Sequence, residues 1–392
     1  MKMTKYFLTA TLVLTSLHVI PQVSLDSLLS AVLQNNRGII GSVQYLENKR
    51  IASRTNLYPE NPELEFGHMW SSTSEVGNRT DFILSQTFDF PGVYVNRSKL
   101  SKAGVEKASQ TVQGVRQETL LGAKQLWVEK VYLNRKRNVL RKRMEQAEAV
   151  DNYLQKQFEN GEISKLRYNK ALLLKASLRA ELELLEAESA AIDTEISRVA
   201  GVSAPEIKDT LYYTTDRAIL DSVLAISTAD PLYLAVKQEM EMLNLQKQLI
   251  RSSSMPKLKT GYYSESLPNL QMRGVLVGLS IPLWENVNKV KAAEAAIISA
   301  ELAADKYRSD QVSGIMQTYI RYKSYQKQSA GLALALELSN DPALLNLAME
   351  SGEISMVEFF YETDLYYRVL GELLVAEKEL YLAESELTKY KL

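Results

Sequence analysis

Hydrophobic positions along this chain follow two different periods, and the period switches near prolines. In Glu63–Trp70, the residues Leu64, Phe66 and Trp70 fall on one side, with Glu63 and Glu65 on the other. In Asp81–Phe90, Phe82, Leu84, Phe88 and Phe90 alternate with Asp81, Ser85, Thr87 and Asp89. Lys257–Ser264 sets Leu258, Thr260 and Tyr262 opposite Lys257 and Lys259. Arg273–Ile281 sets Val275, Val277, Leu279 and Ile281 opposite Gly274, Gly278 and Ser280. Such alternation predicts four β-strands, each apolar on one face only. They pair as two hairpins, the first closed by the polar loop Ser71–Arg79 with Gly77 and Asn78.

Elsewhere the period is seven. After Pro91-Gly92, Val105, Val112, Leu126, Leu133, Leu140, Ala147 and Leu154 share one register. This predicts a proline-free helix from Tyr94 to Gln157, and ~64 residues at helical rise span about 95 Å. A strict seven-residue repeat implies coiled-coil packing. Glu159-Asn160-Gly161 signals a turn, and a partner helix is expected over Ser164–Ala200, carrying Leu178, Leu185, Ile192 and Val199, with Gly201 as its stop. Further helices are expected at Ser24–Thr55, Asp230–Arg251, Glu285–Asn340 and Glu353–Tyr390. The last holds Phe359, Tyr366, Leu373, Leu380 and Leu387 at sevenfold spacing. Asn340-Asp341-Pro342 breaks the chain between the final two. Val202–Ala229, with Pro205, Tyr212-Tyr213 and Thr214-Thr215, has no long period and reads as an irregular connector.

The same order of elements occurs twice. Gly161-Glu162-Ile163-Ser164 returns as Gly352-Glu353-Ile354-Ser355, an offset of 191 residues, and the strand-ending prolines Pro91 and Pro282 share that offset. Pro62-Glu63-Leu64 and Pro256-Lys257-Leu258 correspond at 194, so the second hairpin loop is expected to be three residues shorter. A tandem duplication is therefore expected, with repeats at 23–201 and 230–392 joined by a connector at 202–229. Residues 1–22 carry Lys2 and Lys5 before the apolar run Tyr6–Ile20, the pattern of a secretory signal peptide. No later stretch has the ~18 consecutive apolar residues of a transmembrane helix.

Composition narrows the chemistry. The chain has 392 residues and a formal charge of −1, so no net field favours nucleic acid. Cysteine is absent, which removes disulfides, thiol chemistry and a lipidated N-terminal cysteine. His18 and His68 are the only histidines, too few for an ordinary zinc or iron site. Met240 and Met242 stand at i and i+2 on a predicted helix and do not face each other, so core packing explains them better than a metal relay.

Four strands with one apolar face cannot close a barrel alone. Their length suits the hydrocarbon thickness of a bilayer. With Leu64, Phe66, Phe82, Leu84, Val275 and Val277 facing lipid, Glu63, Glu65, Lys257 and Lys259 line an aqueous lumen. Closure then requires oligomers, and three copies would supply twelve strands. A small soluble sheet packed on helices is the competing reading. The second face, rich in glycine, serine and charge, argues against it.

The duplicated hairpin–helix–turn–helix plan, the signal, and the turns Phe158–Ser164 and Met349–Glu358 resemble the TolC-like outer-membrane efflux family. The phrase Asn61-Pro62-Glu63-Leu64-Glu65-Phe66 resembles the first strand of the branch serving heavy-metal and related exporters. The resemblance implies a mixed fold: a trimeric outer-membrane β-barrel, four strands per chain, continuous with a long coiled-coil α-helical periplasmic barrel. It implies a passive exit duct of a tripartite efflux or type I secretion system, with no catalysis, cofactor or metal. Implied partners are two further copies, outer-membrane lipid, a periplasmic adaptor and an inner-membrane pump of the RND type. Polar links near the turns close the inner end of such ducts. By the 191-residue offset Arg167 pairs with Glu358, an acidic position that rings the family's narrow end. The family's arginine in the second turn is Ile354 here, so its bond network is not carried over intact. The turns Gly161–Ser164 and Gly352–Ser355 are the implied adaptor contacts. Competing classes are a secreted or periplasmic coiled-coil scaffold or adhesin, which needs no amphipathic strands, and an enzyme. The enzyme lacks a nucleophile–histidine pair, a metal cluster or a phosphate-binding loop in the sequence.

Overall fold

The computed structural model describes residues 23–72, 77–203, 205–213, 218–339 and 342–392. The expected signal peptide, residues 1–22, lies outside the described residues, as do Thr214-Thr215 and Asn340-Asp341. The chain runs α1 (Val23–Asn35), α2 (Arg37–Ala52), β1 (Glu63–Met69), β2 (Arg79–Phe88), α3 (Pro91–Glu159), α4 (Lys165–Ala200), α5 (Leu220–Ile226), α6 (Pro231–Ser252), β3 (Lys257–Leu267), β4 (Leu270–Ser280), α7 (Lys289–Glu337), α8 (Pro342–Glu350) and α9 (Met356–Leu387). Among the described residues no helix is long and apolar enough to cross a membrane.

The strands form one antiparallel sheet in the order β1-β2-β3-β4, so each hairpin pairs internally and β2 joins β3. The outer edges of β1 and β4 have no strand partner among the described residues. From one end of the sheet α3 departs, starting at Pro91, which needs no hydrogen bond for its missing N–H at the first helical position. Its 69 residues reach roughly 100 Å at 1.5 Å per residue. Other helices pack along it: α2 and α6 on its first half, α4 and α9 on its second. α7 lies against α6 and then α9. Gly114 marks the closest approach of α3 and α6, since a Cβ there would stand 2.4 Å from Leu232 Cδ2.

The sevenfold pattern is the packing seam. Leu133, Leu140 and Ala147 of α3 bury against Leu178 and Leu185 of α4. At mid-length a second core gathers Leu28 and Val32 of α1, Trp127 and Val131 of α3, Ile196 and Ala200 of α4, and Ile207 of the connector. The connector is stitched there by polar bonds. The Trp127 indole donates to Asp209 at 2.9 Å, and Asn134 donates to the carbonyls of Ile207 (2.9 Å) and Asp209 (3.1 Å).

Three expectations are corrected. Ser24–Thr55 is two helices, because Asn36 leaves the helical region (ψ 120), caps α2 by accepting from Ile39 N–H, and donates to the Val199 carbonyl at 2.7 Å. Gly201 makes that junction possible: its φ is +73, and a Cβ would sit 2.2 Å from the Asn35 carbonyl oxygen. The second hairpin is longer than expected. β3 continues through Leu267 and β4 starts at Leu270, leaving a two-residue loop, Pro268-Asn269. The helix after Pro282 starts at Lys289 and not at Glu285, because Trp284–Asn288 forms turns ending in Asn288 at φ +63.

Candidate functional site

The register places the apolar residues of all four strands in rows across one face. Phe66, Phe82, Ser264 and Arg273 are neighbours; so are Leu64, Leu84, Tyr262 and Val275; Phe88, Leu258 and Leu279 form another row. In the single chain these side chains are exposed, Phe66 to 72% and Val275 to 86%. The opposite face is polar. Lys259 donates to Glu63 at 3.0 Å, and Lys257 stands 3.6 Å from Glu60 and 3.4 Å from Asp89. Glu65 shares this face and makes no ion pair among the described residues. All four sequence-predicted lumen residues thus lie on one side of the sheet.

The polar face also carries a cluster that sequence reading missed. Arg79 is 2.9 Å from both Asp81 and Glu265, and donates to the Tyr263 hydroxyl at 3.0 Å; that hydroxyl donates to Glu265 at 2.9 Å. Strand parity was the available signal, but Arg79 and Glu265 fell outside the expected strands. At the helical end of the sheet, Asp89 bridges Lys257 and Arg97 (2.9 Å), and its N–H donates to Tyr94, locking strand to helix beside Pro91. Pro282, by contrast, stands seven residues before α7. Gly261 permits close approach of β3 to β2, since a Cβ would meet the Leu84 carbonyl at 2.6 Å.

At the far end of α3 the two predicted turns have the same construction. Gly161 (φ +76) and Gly352 (φ +78) each close a Schellman motif. Gly161 N–H donates to Phe158 and Glu162 N–H to Gln157; Gly352 N–H donates to Met349 and Glu353 N–H to Ala348. Ser164 and Ser355 then hold the extended N-cap position of α4 and α9. Glu162 and Glu353 are exposed, while Ile163 and Ile354 turn inward onto a shared apolar cluster of Val150, Leu154, Ala171, Met349 and Phe359. That cluster joins the α3–α4 hairpin to the α8–α9 hairpin.

Arg167 and Glu358 occupy equivalent positions, the third residue of each helix, and differ in consequence. Glu358 completes a capping box: it accepts from Ser355 N–H at 2.8 Å, and its own N–H donates to Ser355 Oγ at 3.2 Å. The Ser355 hydroxyl, then its backbone N–H, hold the Glu358 carboxyl below its ordinary range. Arg167 cannot make this box, and a cation in the first turn opposes the helix dipole. It is exposed, and no ion pair joins it to Glu358 within one chain among the described residues. No group of acidic or histidine side chains among the described residues is arranged to hold a metal ion.

No protein-family model matches the sequence, and no curated protein does so either. Solved structures do match the fold. A membrane protein from Pseudomonas aeruginosa aligns at TM-score 0.81 and 14% identity, covering 94% of this chain and 90% of that one. CusC, studied for folding and transmembrane channel formation, aligns at 0.79 and 16%, covering 94% and 91%. The outer membrane protein VceC from Vibrio cholerae aligns at 0.80 and 12%, covering 93% and 95%. At these identities the likeness establishes the fold, and it is the TolC-like fold that the sequence resemblance implied.

The depressed Glu358 carboxyl has a pH signature. Its contribution is present above the unfolded carboxylate value and is lost as pH falls through the lower folded value. Glu358→Ala is expected to melt earlier than the parent chain at pH 7, and the gap should close below about pH 4. A gap that persists unchanged at pH 3 would remove the carboxylate from the capping role.

Proposed function

We propose that this chain is the outer-membrane exit duct of a tripartite efflux or type I secretion system, built as a trimer. One observation carries the reading: a four-stranded sheet whose outer edges have no strand partner among the described residues, with aligned exposed apolar rows on one face and ion-paired polar groups on the other. In lipid an open edge leaves backbone groups unpaired, each at a cost of several kcal/mol, so the edge of β4 must find β1 of another copy. Strand directions alternate, so this pairing is antiparallel, and three copies close twelve strands. A ten-residue strand such as β2, tilted at about 40°, stands roughly 25 Å tall, the height of an outer-membrane apolar band. Exposed Trp70 lies beyond one end of the apolar rows, and Tyr58 and Trp284 beyond the other, where aromatic side chains meet headgroups.

The helices extend the duct into the periplasm. In each copy the order around the wall is α4, α3, α9, α7. The uncovered flanks, with Leu173 and Leu184 on α4 and Ile320 and Leu334 on α7, are then buried between copies. The two repeats, 23–201 and 230–392, arose by duplication; the identical turn construction and the 191-residue offset support this. Glu63, Glu65, Lys257 and Lys259 line the lumen. Arg167 is the stronger gate residue: no ion pair among the described residues explains a cation at a helix N-terminus, and Glu358 of a neighbouring copy has a second carboxylate oxygen to offer. The exposed turns at Gly161–Ser164 and Gly352–Ser355 are the adaptor contacts, and an inner-membrane pump of the RND type supplies the energy. A scaffold or adhesin has no use for the two-faced sheet.

Purified protein in planar bilayers should give discrete conductance steps, and Arg167→Ala should raise mean conductance by enlarging the resting aperture. Bilayers that stay silent would reject the duct, while steps unchanged by Arg167→Ala and Glu358→Ala would reject the gate alone. Docking has a separate readout. A Cβ at Gly161 or Gly352 meets open space, so tryptophan at both positions strains only the local turn. The double variant should keep wild-type conductance and lose the drug or metal resistance that the parent chain is expected to confer; resistance equal to the parent's would reject docking at these turns.

A further inference from the structure

Between the two helical hairpins, beside the apolar cluster at the turns, lies a cavity of about 300 Å³ that the duct reading does not use. Its floor is Ala147 and Val150 of α3, Leu174 of α4, and Phe359 and Phe360 of α9. Its rim is charged and uneven. Arg143 stands 3.3 Å from Asp364, and its guanidinium lies over the Tyr367 ring at 5.2 Å from the centroid. Tyr367 in turn donates to Gln146, so the Arg143 side is held in place. Lys170, on the facing helix, makes no hydrogen bond or ion pair among the described residues. Thr363 Oγ1 is buried in the wall without a hydrogen-bond partner among the described residues. A buried hydroxyl left unpaired is costly, and a polar group bound in the cavity is one way to satisfy it.

We propose that this cavity is a binding site for a small aromatic monoanion, an aryl carboxylate being the simplest member of the class. The volume sits at the small end of ligand pockets, enough for a fused pair of rings. The rings would lie on Phe359, Phe360 and Leu174. Two cations against one carboxylate leave the rim one positive charge in excess, which matches one anionic group between Lys170 and Arg143. The orphan Thr363 hydroxyl is placed to donate to that group or to a second acceptor on the ring. Because the lining comes from α3, α4 and α9, a bound anion would fasten the two hairpins together just above the turns. The site stands on the geometry of one chain and does not depend on the duct reading.

The test titrates 2-naphthoate into the purified full chain in amphipol, by calorimetry, with amphipol alone as the blank. Saturable binding at one site per chain is expected. Lys170→Glu should weaken it about tenfold, as the loss of a charge-assisted contact does. Thr363→Val should also weaken it severalfold while leaving the melting temperature no lower, since an unpaired hydroxyl is removed. Both variants must show parental circular dichroism, and Leu174→Trp, which fills the cavity, is the second route if either misfolds; it should abolish binding. Binding no greater than to amphipol, affinity unchanged by all three substitutions, or equal affinity for neutral 2-naphthamide would overturn the proposal.

Discussion

Unpaired backbone is the constraint on which the rest depends. A sheet that ends at β1 and β4 exposes two rows of N–H and C=O groups, and its apolar face asks for a solvent in which those rows cannot be hydrated. Neither demand is met by the chain alone. Adding copies edge to edge meets both at once, because closure removes the edges and turns the apolar rows outward. In the proposed closure the polar face would enclose water; ion pairs already link β2 to β3 and β3 to β1 across it. At Gly261 the missing side chain lets β3 lie close against the Leu84–Ser85 backbone of β2 on that face.

The helices answer a different problem, which is how to keep so long an element covered. A helix of 69 residues has little stability of its own unless its faces are covered. Here α3 carries the load by meeting α2 and α6 near the sheet and α4 and α9 beyond it. The connector closes the gap where the layers change hands, and buries polar atoms to do so. Trp127, Asn134 and Asp209 fix its path by hydrogen bonds that have no apolar substitute. The hairpin ends are joined by apolar contact through Ile163, Ile354 and Phe359, so any polar gate works on top of an existing apolar seam.

Much of this was legible in the order of residues because the two periods are pure. Alternation located the strands, and sevenfold spacing located the seams of α3, α4 and α9. Where reading failed, a longer-range contact overrode the local pattern. Asn36 interrupts an amphipathic helix because it must reach the Val199 carbonyl, a partner 163 residues away. Glu265 and Ser266 lie beyond the expected strand, yet they stay in β3 because β2 and β4 both pair with them. The capping role of Glu358 is purely local: Ser355 and Glu358, three residues apart, spell a capping box in the sequence itself. The cluster about Arg79 needed the register itself, since its acids come from β2 and β3.

The most direct test is a nitroxide scan along β4 in reconstituted bilayers, reading collision with oxygen against a water-soluble nickel chelate. Labels at residues 275, 277 and 279 should be accessible to oxygen and shielded from the chelate, and labels at 276, 278 and 280 the reverse. Uniform exposure to the chelate, or burial without alternation, would contradict a strand that stands between lipid and water.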